Sequence, residues 1–306
     1  MEQPSVAALA REFHEDGFVA LEDKKHVLST DEVASLHELV MKRFDQYIAL
    51  AEAEQIDLSL EANSEVIPGF YVRKGGRIDM QLIGMDILSK IHPLHKRVLK
   101  EVHPIDPEVL HRLEEHWRSV VDAIFTTTAE REHNRDQNDA QNDTKELEAP
   151  YYLEYVGCVV ARPADEDQNW HLDGVHRDLD SHQAADRINV FVPLVAIAKE
   201  VGGTEMKRRS QFRDNGQGGT TFDHYAHLES ITHYAAAGTP IIMDYRIWHR
   251  GKANRSSVAR PLMYFKYSRR SQPVPATSSR RLSGSECDEA RERKKRKRIV
   301  PVSLGQ

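Results

Sequence analysis

The stretch Gly238–Tyr267, GTPIIMDYRIWHRGKANRSSVARPLMYFKY, decides how this chain folds. It runs as an apolar segment, a turn, His249, a polar loop, Arg260 and a second apolar segment. Short runs rich in Ile, Met, Tyr and Phe, bounded by Gly, Pro or polar clusters, read as strands. Thr239–Asp244 and Pro261–Tyr267 qualify, and upstream Tyr151–Ala161 and Ile188–Val195 repeat the pattern. Several short strands without regular helices between them predict one antiparallel core, a sandwich or barrel of jelly-roll type.

The first half has a different period. From Asp31 to about Ala62, Val33, Leu36, Val40, Phe44, Tyr47 and Ile48 recur at helical spacing, with Thr30 or Asp31 as the N-cap. From Asp106 to about Thr128, Val109, Leu110, Leu113, Trp117, Val120, Val121, Ile124 and Phe125 share one face, and Pro107 sits in the first turn. Both predict amphipathic packing helices, so the fold class is a mostly β core with helical flanks. One domain over residues 1–270 is expected: a helix-rich part to 128, a flexible insertion at 130–148 and a jelly-roll core over 151–270. The insertion, EREHNRDQNDAQNDTKELE, has almost nothing to bury. Residues 271–306 read as a disordered basic tail.

Composition sets the outer limits. A chain of 306 residues with 40% apolar content buries a full core. Its 2 cysteines, Cys158 and Cys287, are too few for a disulfide framework and favour a reducing compartment. No secretory leader is expected, and no run of about eighteen apolar residues predicts a membrane span. The cytoplasm is the expected location, or the nucleus if Arg291–Arg298 (RERKKRKR) engages an import receptor. Set against a formal net charge of −6, that tail leaves the body acidic, which argues against nucleic acid as the substrate.

An iron(II) oxygenase needs two imidazoles and a carboxylate on one face of the metal. In extended chain, residues two apart point to the same side, so H-x-D followed by a distant His is the corresponding pattern. H-x-D occurs at His14/Asp16, His171/Asp173 and His176/Asp178, which a chain with 16 His makes unsurprising. His14/Asp16 lies where an N-terminal helix meets a turn, and HRDLD at His176 mimics a kinase loop without the glycine-rich loop or Asp-Phe-Gly that kinase chemistry requires. Gly216, Gly218 and Gly219 likewise lack the flanking strand and helix of a nucleotide loop. His171 and Asp173 follow a strand closely, and Gly238–Tyr267 supplies both the remote His249 and a cation. Arg260 is suited to the far carboxylate of 2-oxoglutarate, because its planar fork engages both oxygens and stays charged.

At these residues the sequence resembles the phytanoyl-CoA dioxygenase-like family, whose distal motif is H-x-G-x-x-N-x-S-x-x-x-R. His249, Gly251, Asn254, Ser256 and Arg260 fit it position by position. INVFVPLVAIAKEVGGTEMKRRSQF, residues 188–212, resembles the family's strand ending in Pro-Leu, its Gly-Gly turn and its following Ser, although Phe212 stands near where a His is often found. The resemblance spans roughly Phe13 to Arg269. It implies a double-stranded β-helix, iron(II) bound by His171, Asp173 and His249, 2-oxoglutarate at Arg260, dioxygen as co-substrate, and succinate and carbon dioxide as co-products. Asp173 favours hydroxylation over halogenation, since halogenating relatives carry Gly or Ala there. The expected reaction is hydroxylation of a C–H bond in a small-molecule metabolite; the alternatives are an oxygenase of protein or nucleic acid and a non-catalytic jelly-roll binding protein. In YVRKGGRIDMQL, Arg77 is the candidate contact for an anionic substrate or the co-substrate, against a surface ion pair with Asp79.

Overall fold

Ser29 and Glu32 show how closely local sequence sets the helical elements of this computed structural model. The Ser29 side chain accepts the Glu32 N–H while the Glu32 carboxylate accepts the Ser29 N–H, a reciprocal capping box. The structure describes residues 3–58, 64–67, 69–73, 76–83, 105–126, 149–174, 183–212 and 221–270. The expected insertion at 130–148, the tail with Arg291–Arg298 and the His176/Asp178 pair lie outside them.

In chain order the helices are α1 (Val6–Asp16), α2 (Thr30–Ala53), α3 (Pro107–Glu115) and α4 (Arg118–Phe125). Two sequence expectations are corrected here. Helix α2 is capped by Ser29 rather than Thr30 or Asp31, and it ends at Ala53, short of Ala62. The helix expected from Asp106 to about Thr128 is two helices, with the Asp106 cap and Pro107 in place. The break falls at Trp117, which is fully buried and donates its indole N–H to the Tyr267 hydroxyl at 2.8 Å. Placing that large ring under the sheet with its donor satisfied outweighs helical continuity.

The strands are β1 (Phe18–Ala20), β2 (Ser64–Ile67), β3 (Phe70–Val72), β4 (Ile78–Ile83), β5 (Tyr151–Ala161), β6 (Arg187–Pro193), β7 (Thr204–Lys207), β8 (Ser230–Thr232), β9 (Ile241–Asp244), β10 (His249–Gly251) and β11 (Arg260–Arg269). They form an antiparallel eight-stranded sheet in the order β1-β9-β6-β11-β5-β4-β3-β2 and a three-stranded sheet in the order β10-β7-β8. The jelly-roll expectation is borne out, with a difference: the first part of the chain also contributes β1 to β4 to the large sheet. In β4 the apolar Ile78, Met80 and Leu82 alternate with Asp79 and Gln81, and Asp79 is buried with them.

Alternation divides the large sheet into two faces. Met80, Val156, Cys158, Val190, Met263 and Phe265 pack against the helices in the main core. The opposite face looks toward the small sheet, where Phe18, Phe191, Met206, Met243 and Ile247 make a second apolar cluster. Beside that cluster the two sheets enclose a cavity.

Candidate active site

His249 opens β10, paired with Met206 of β7 on one side. On its other side it faces His171 across an isolated antiparallel bridge, each backbone N–H donating to the other's carbonyl at 3.0 Å. Residues paired in this way project to the same face, so the two rings stand together with centroids 4.3 Å apart. The sequence expected His171 and Asp173 to converge with His249, and the structure brings them together: a ligand atom from each lies within 4.8 Å of the others. Asp173 Oδ2 is 3.8 Å from His249 Nε2.

Neighbouring groups fix the orientation of each side chain. His171 Nδ1 is 2.8 Å from the Asn169 carbonyl and His249 Nδ1 is 3.0 Å from the Ile247 carbonyl. With Nδ1–H donating in both rings, the Nε2 lone pairs are left for a metal. Burial, and then the adjacent His249, push His171 down to about 4, so its ring is neutral, the form that ligates. Asn189 donates its amide to Asp173 Oδ2 at 2.9 Å. Trp248, next to His249, donates its N–H to the buried Ser210 hydroxyl at 2.8 Å, which holds β10 in place. Two imidazoles and one carboxylate, each already held by a neighbouring group, fit a divalent first-row ion.

The cavity has a volume of about 660 Å³, and its lining runs from these three residues to Arg77 and Arg260. Arg260 is 4% exposed. Its Nη1 alone serves three carbonyls, those of Val201, Gly202 and Lys252, at 3.1, 2.6 and 3.2 Å. Among the described residues its other nitrogens bond nothing. Arg77, 1% exposed, donates to the Glu166 carbonyl at 2.8 Å and to the same Lys252 carbonyl at 2.7 Å, while its buried Nε has no partner among the described residues. Burial, reinforced by the charge of Arg77, pushes Arg260 down to about 9, and burial pushes Arg77 down to about 10. Two guanidiniums crowded on one carbonyl, with donors to spare, make a receptor for an anion.

The loop between β10 and β11 sets that receptor. Asn254 donates to the Ala161 and Val258 carbonyls, and its Oδ1 accepts both the N–H and the hydroxyl of Ser256. This side-chain-stabilised turn delivers Arg260 to the start of its strand. Gly251 has a different duty: a Cβ there would stand 3.0 Å from Arg77 Nε and 2.8 Å from Gln168 Oε1. The expected alternative for Arg77, a surface ion pair with Asp79, is not what forms. Arg77 is buried, and Asp79, itself 2% exposed, pairs with Arg73. Sequence reasoning passed over Asn189 and Tyr264; a polar residue inside the apolar INVFV run was the available signal for the first.

Residues 13–262 match the family model described as Phytanoyl-CoA dioxygenase (PhyH). No curated protein matches the sequence. Among solved structures, AviO1 from Streptomyces viridochromogenes Tue57 is similar at a TM-score of 0.54 and 16% identity, covering 90% of this chain and 99% of that one. EvdMO1 is similar at 0.51 and 15% identity, covering 87% of this chain and 50% of that one. These likenesses concern the fold.

Proposed function

This chain belongs to the phytanoyl-CoA dioxygenase family, whose members use iron(II) and 2-oxoglutarate, and we propose that it hydroxylates a C–H bond of a small-molecule metabolite. His171, Asp173 and His249 are the metal ligands, and Arg260, backed by Arg77, receives the far carboxylate of 2-oxoglutarate. The support for this is one arrangement: an imidazole pair and a carboxylate within 4.8 Å of one another, in the same cavity as two buried guanidiniums that have unused donors. Among the described residues no helix is long and apolar enough to cross a membrane.

Iron(II) with 2-oxoglutarate and dioxygen supplies an oxidation coupled to decarboxylation, giving succinate and carbon dioxide. The chain contributes position and exclusion of water. His171 and His249 present their Nε2 atoms, because backbone carbonyls hold the opposite nitrogens. Asp173 adds the anionic ligand, steadied by Asn189. Arg260 offers its free edge to a carboxylate from a buried position, where a charge-assisted bond is stronger than in water. The fixed span between the ligands and Arg260 then sets which way the co-substrate lies, and so which side of the cavity is left for the primary substrate.

The test is iron-dependent release of succinate from 2-oxoglutarate by purified protein incubated with a cell metabolite extract, with mass spectrometry for a compound heavier by one oxygen. His171→Ala and His249→Ala abolish both signals. Succinate release that persists without iron, or in either variant, contradicts the proposal.

A further inference from the structure

Among the described residues three guanidiniums line the cavity, and Arg77 and Arg260 gather at the Lys252 carbonyl. The third, Arg73, is directed elsewhere. It follows β3, and its backbone N–H donates to the Arg77 carbonyl at 2.8 Å, closing the turn into β4. Its side chain passes the Tyr71 ring, 5.3 Å from the centroid, and reaches Asp79. Both Nε and Nη2 donate to Asp79 Oδ2, at 2.9 and 2.5 Å, while Asp79 Oδ1 accepts the Tyr264 hydroxyl at 2.9 Å. Asp79 is fully occupied by these bonds. Arg73 is not: Nη1 has no hydrogen bond among the described residues, and the side chain is 36% exposed on the cavity wall.

The assembly is built to hold one orientation. Tyr264 of β11 is paired with Gly157 of β5, and a Cβ at 157 would stand 2.5 Å from the Tyr264 ring and hydroxyl. Glycine weakens a strand interior, and here it lets the Tyr264 ring cross β5 to reach Asp79. Asp79 is 2% exposed, so releasing Arg73 would strand a buried charge. Among the described residues the lining carries three guanidiniums against two carboxylates, Asp79 and Asp173. Iron(II) and the 2-oxoglutarate dianion cancel each other's charge, so among these groups one positive charge remains when both are bound. The rest of the described wall sets apolar Val159, Phe191 and Leu262 beside polar Gln168, Asn169 and Thr204.

We propose that Arg73, positioned by Asp79 and Tyr264, anchors the primary substrate, and that this substrate is an organic monocarboxylate with an apolar body, its carboxylate on the Nη1 edge. This rests on the dioxygenase reading for what occupies the Arg260 end. The full chain, loaded with manganese(II) and 2-oxoglutarate so that no turnover occurs, is titrated calorimetrically with octanoate, octanol and octylamine. Octanoate binds saturably, and octanol and octylamine bind at least about tenfold more weakly, because only the carboxylate meets the guanidinium. Arg73→Met weakens octanoate by about tenfold or more, the loss expected for a charge-assisted bond. The double variant Arg73→Met/Asp79→Asn leaves no unpaired buried carboxylate and shows the same loss, which keeps the test valid if the single variant fails to fold. Tyr264→Phe keeps both charges and weakens octanoate by about threefold through looser positioning.

Equal octanoate binding by wild type and the double variant overturns the proposal. So does octanol bound as tightly as octanoate, or no octanoate binding by wild-type protein that does bind 2-oxoglutarate. A wild type that fails to bind 2-oxoglutarate with manganese(II) overturns the dioxygenase reading, and this proposal with it.

Discussion

Along β11, Met263, Phe265 and Tyr267 turn toward the helices and are 2% exposed or less, whereas Arg260, Leu262 and Tyr264 line the cavity. On the helix-facing side the Tyr267 hydroxyl is satisfied: it donates to Glu114 at 2.8 Å and accepts from Trp117 at 2.8 Å. On the cavity side, among the described residues, Arg260 has unused donors and Arg77 Nε is buried without a partner. Burying a charge without full pairing opposes folding. Along β11 the Tyr267 hydroxyl is satisfied within the chain, and we propose that Arg260 is completed by what it binds.

The contrast predicts that a cut on the cavity side removes chemistry and a cut on the helix side removes stability. The largest effect falls on His249→Ala, with iron-dependent succinate formation down by about a thousandfold or more while the far-ultraviolet circular dichroism stays native. An unfolded variant would blur the division between the faces. Next, Trp117→Ala lowers unfolding free energy in urea by about 3–5 kcal/mol, since it empties a buried indole site and takes one of two hydrogen bonds from the Tyr267 hydroxyl. The folded fraction keeps its affinity for 2-oxoglutarate, and a large change there would show the faces to be coupled.

Arg260→Met raises the KM for 2-oxoglutarate by about a hundredfold, near 3 kcal/mol, the range for truncating one partner of a buried charge pair. Its melting temperature holds or rises, because an under-paired buried charge has gone. A fall of several degrees with unchanged KM would place Arg260 among the structural groups. The smallest effect is at Asn189→Ala, which loosens manganese(II) binding by about tenfold by releasing Asp173.

What the sequence made legible follows the same division. The long strands Tyr151–Ala161 and Pro261–Tyr267 were readable because their apolar runs report burial directly, and the distal motif at His249 carried Arg260 with it. Strands β2 to β4 were not read; at the start of β4 the buried Asp79, next to the buried Arg77 that precedes the strand, gives the segment the look of a charged surface turn. Which arginine takes Asp79 is a tertiary matter: Arg77 and Asp79 are two apart, yet Arg77 runs to the Glu166 and Lys252 carbonyls and leaves Asp79 to Arg73. The break at Trp117 had no Gly or Pro to mark it, because its cause is a hydroxyl on a distant strand. The Ser29/Glu32 box was visible as Ser-x-x-Glu and was passed over in favour of the next two residues.

The claim at the centre is that His171, Asp173 and His249 hold one metal ion on which 2-oxoglutarate can chelate. Anaerobic addition of 2-oxoglutarate to iron(II)-loaded protein reads this directly, because a 2-oxo acid bound through both oxygens to iron(II) gives a visible charge-transfer band. The band is expected to appear and saturate at one iron per chain in the wild type, and to be absent in His249→Ala. No band in the wild type, or the same band in both proteins, contradicts the account.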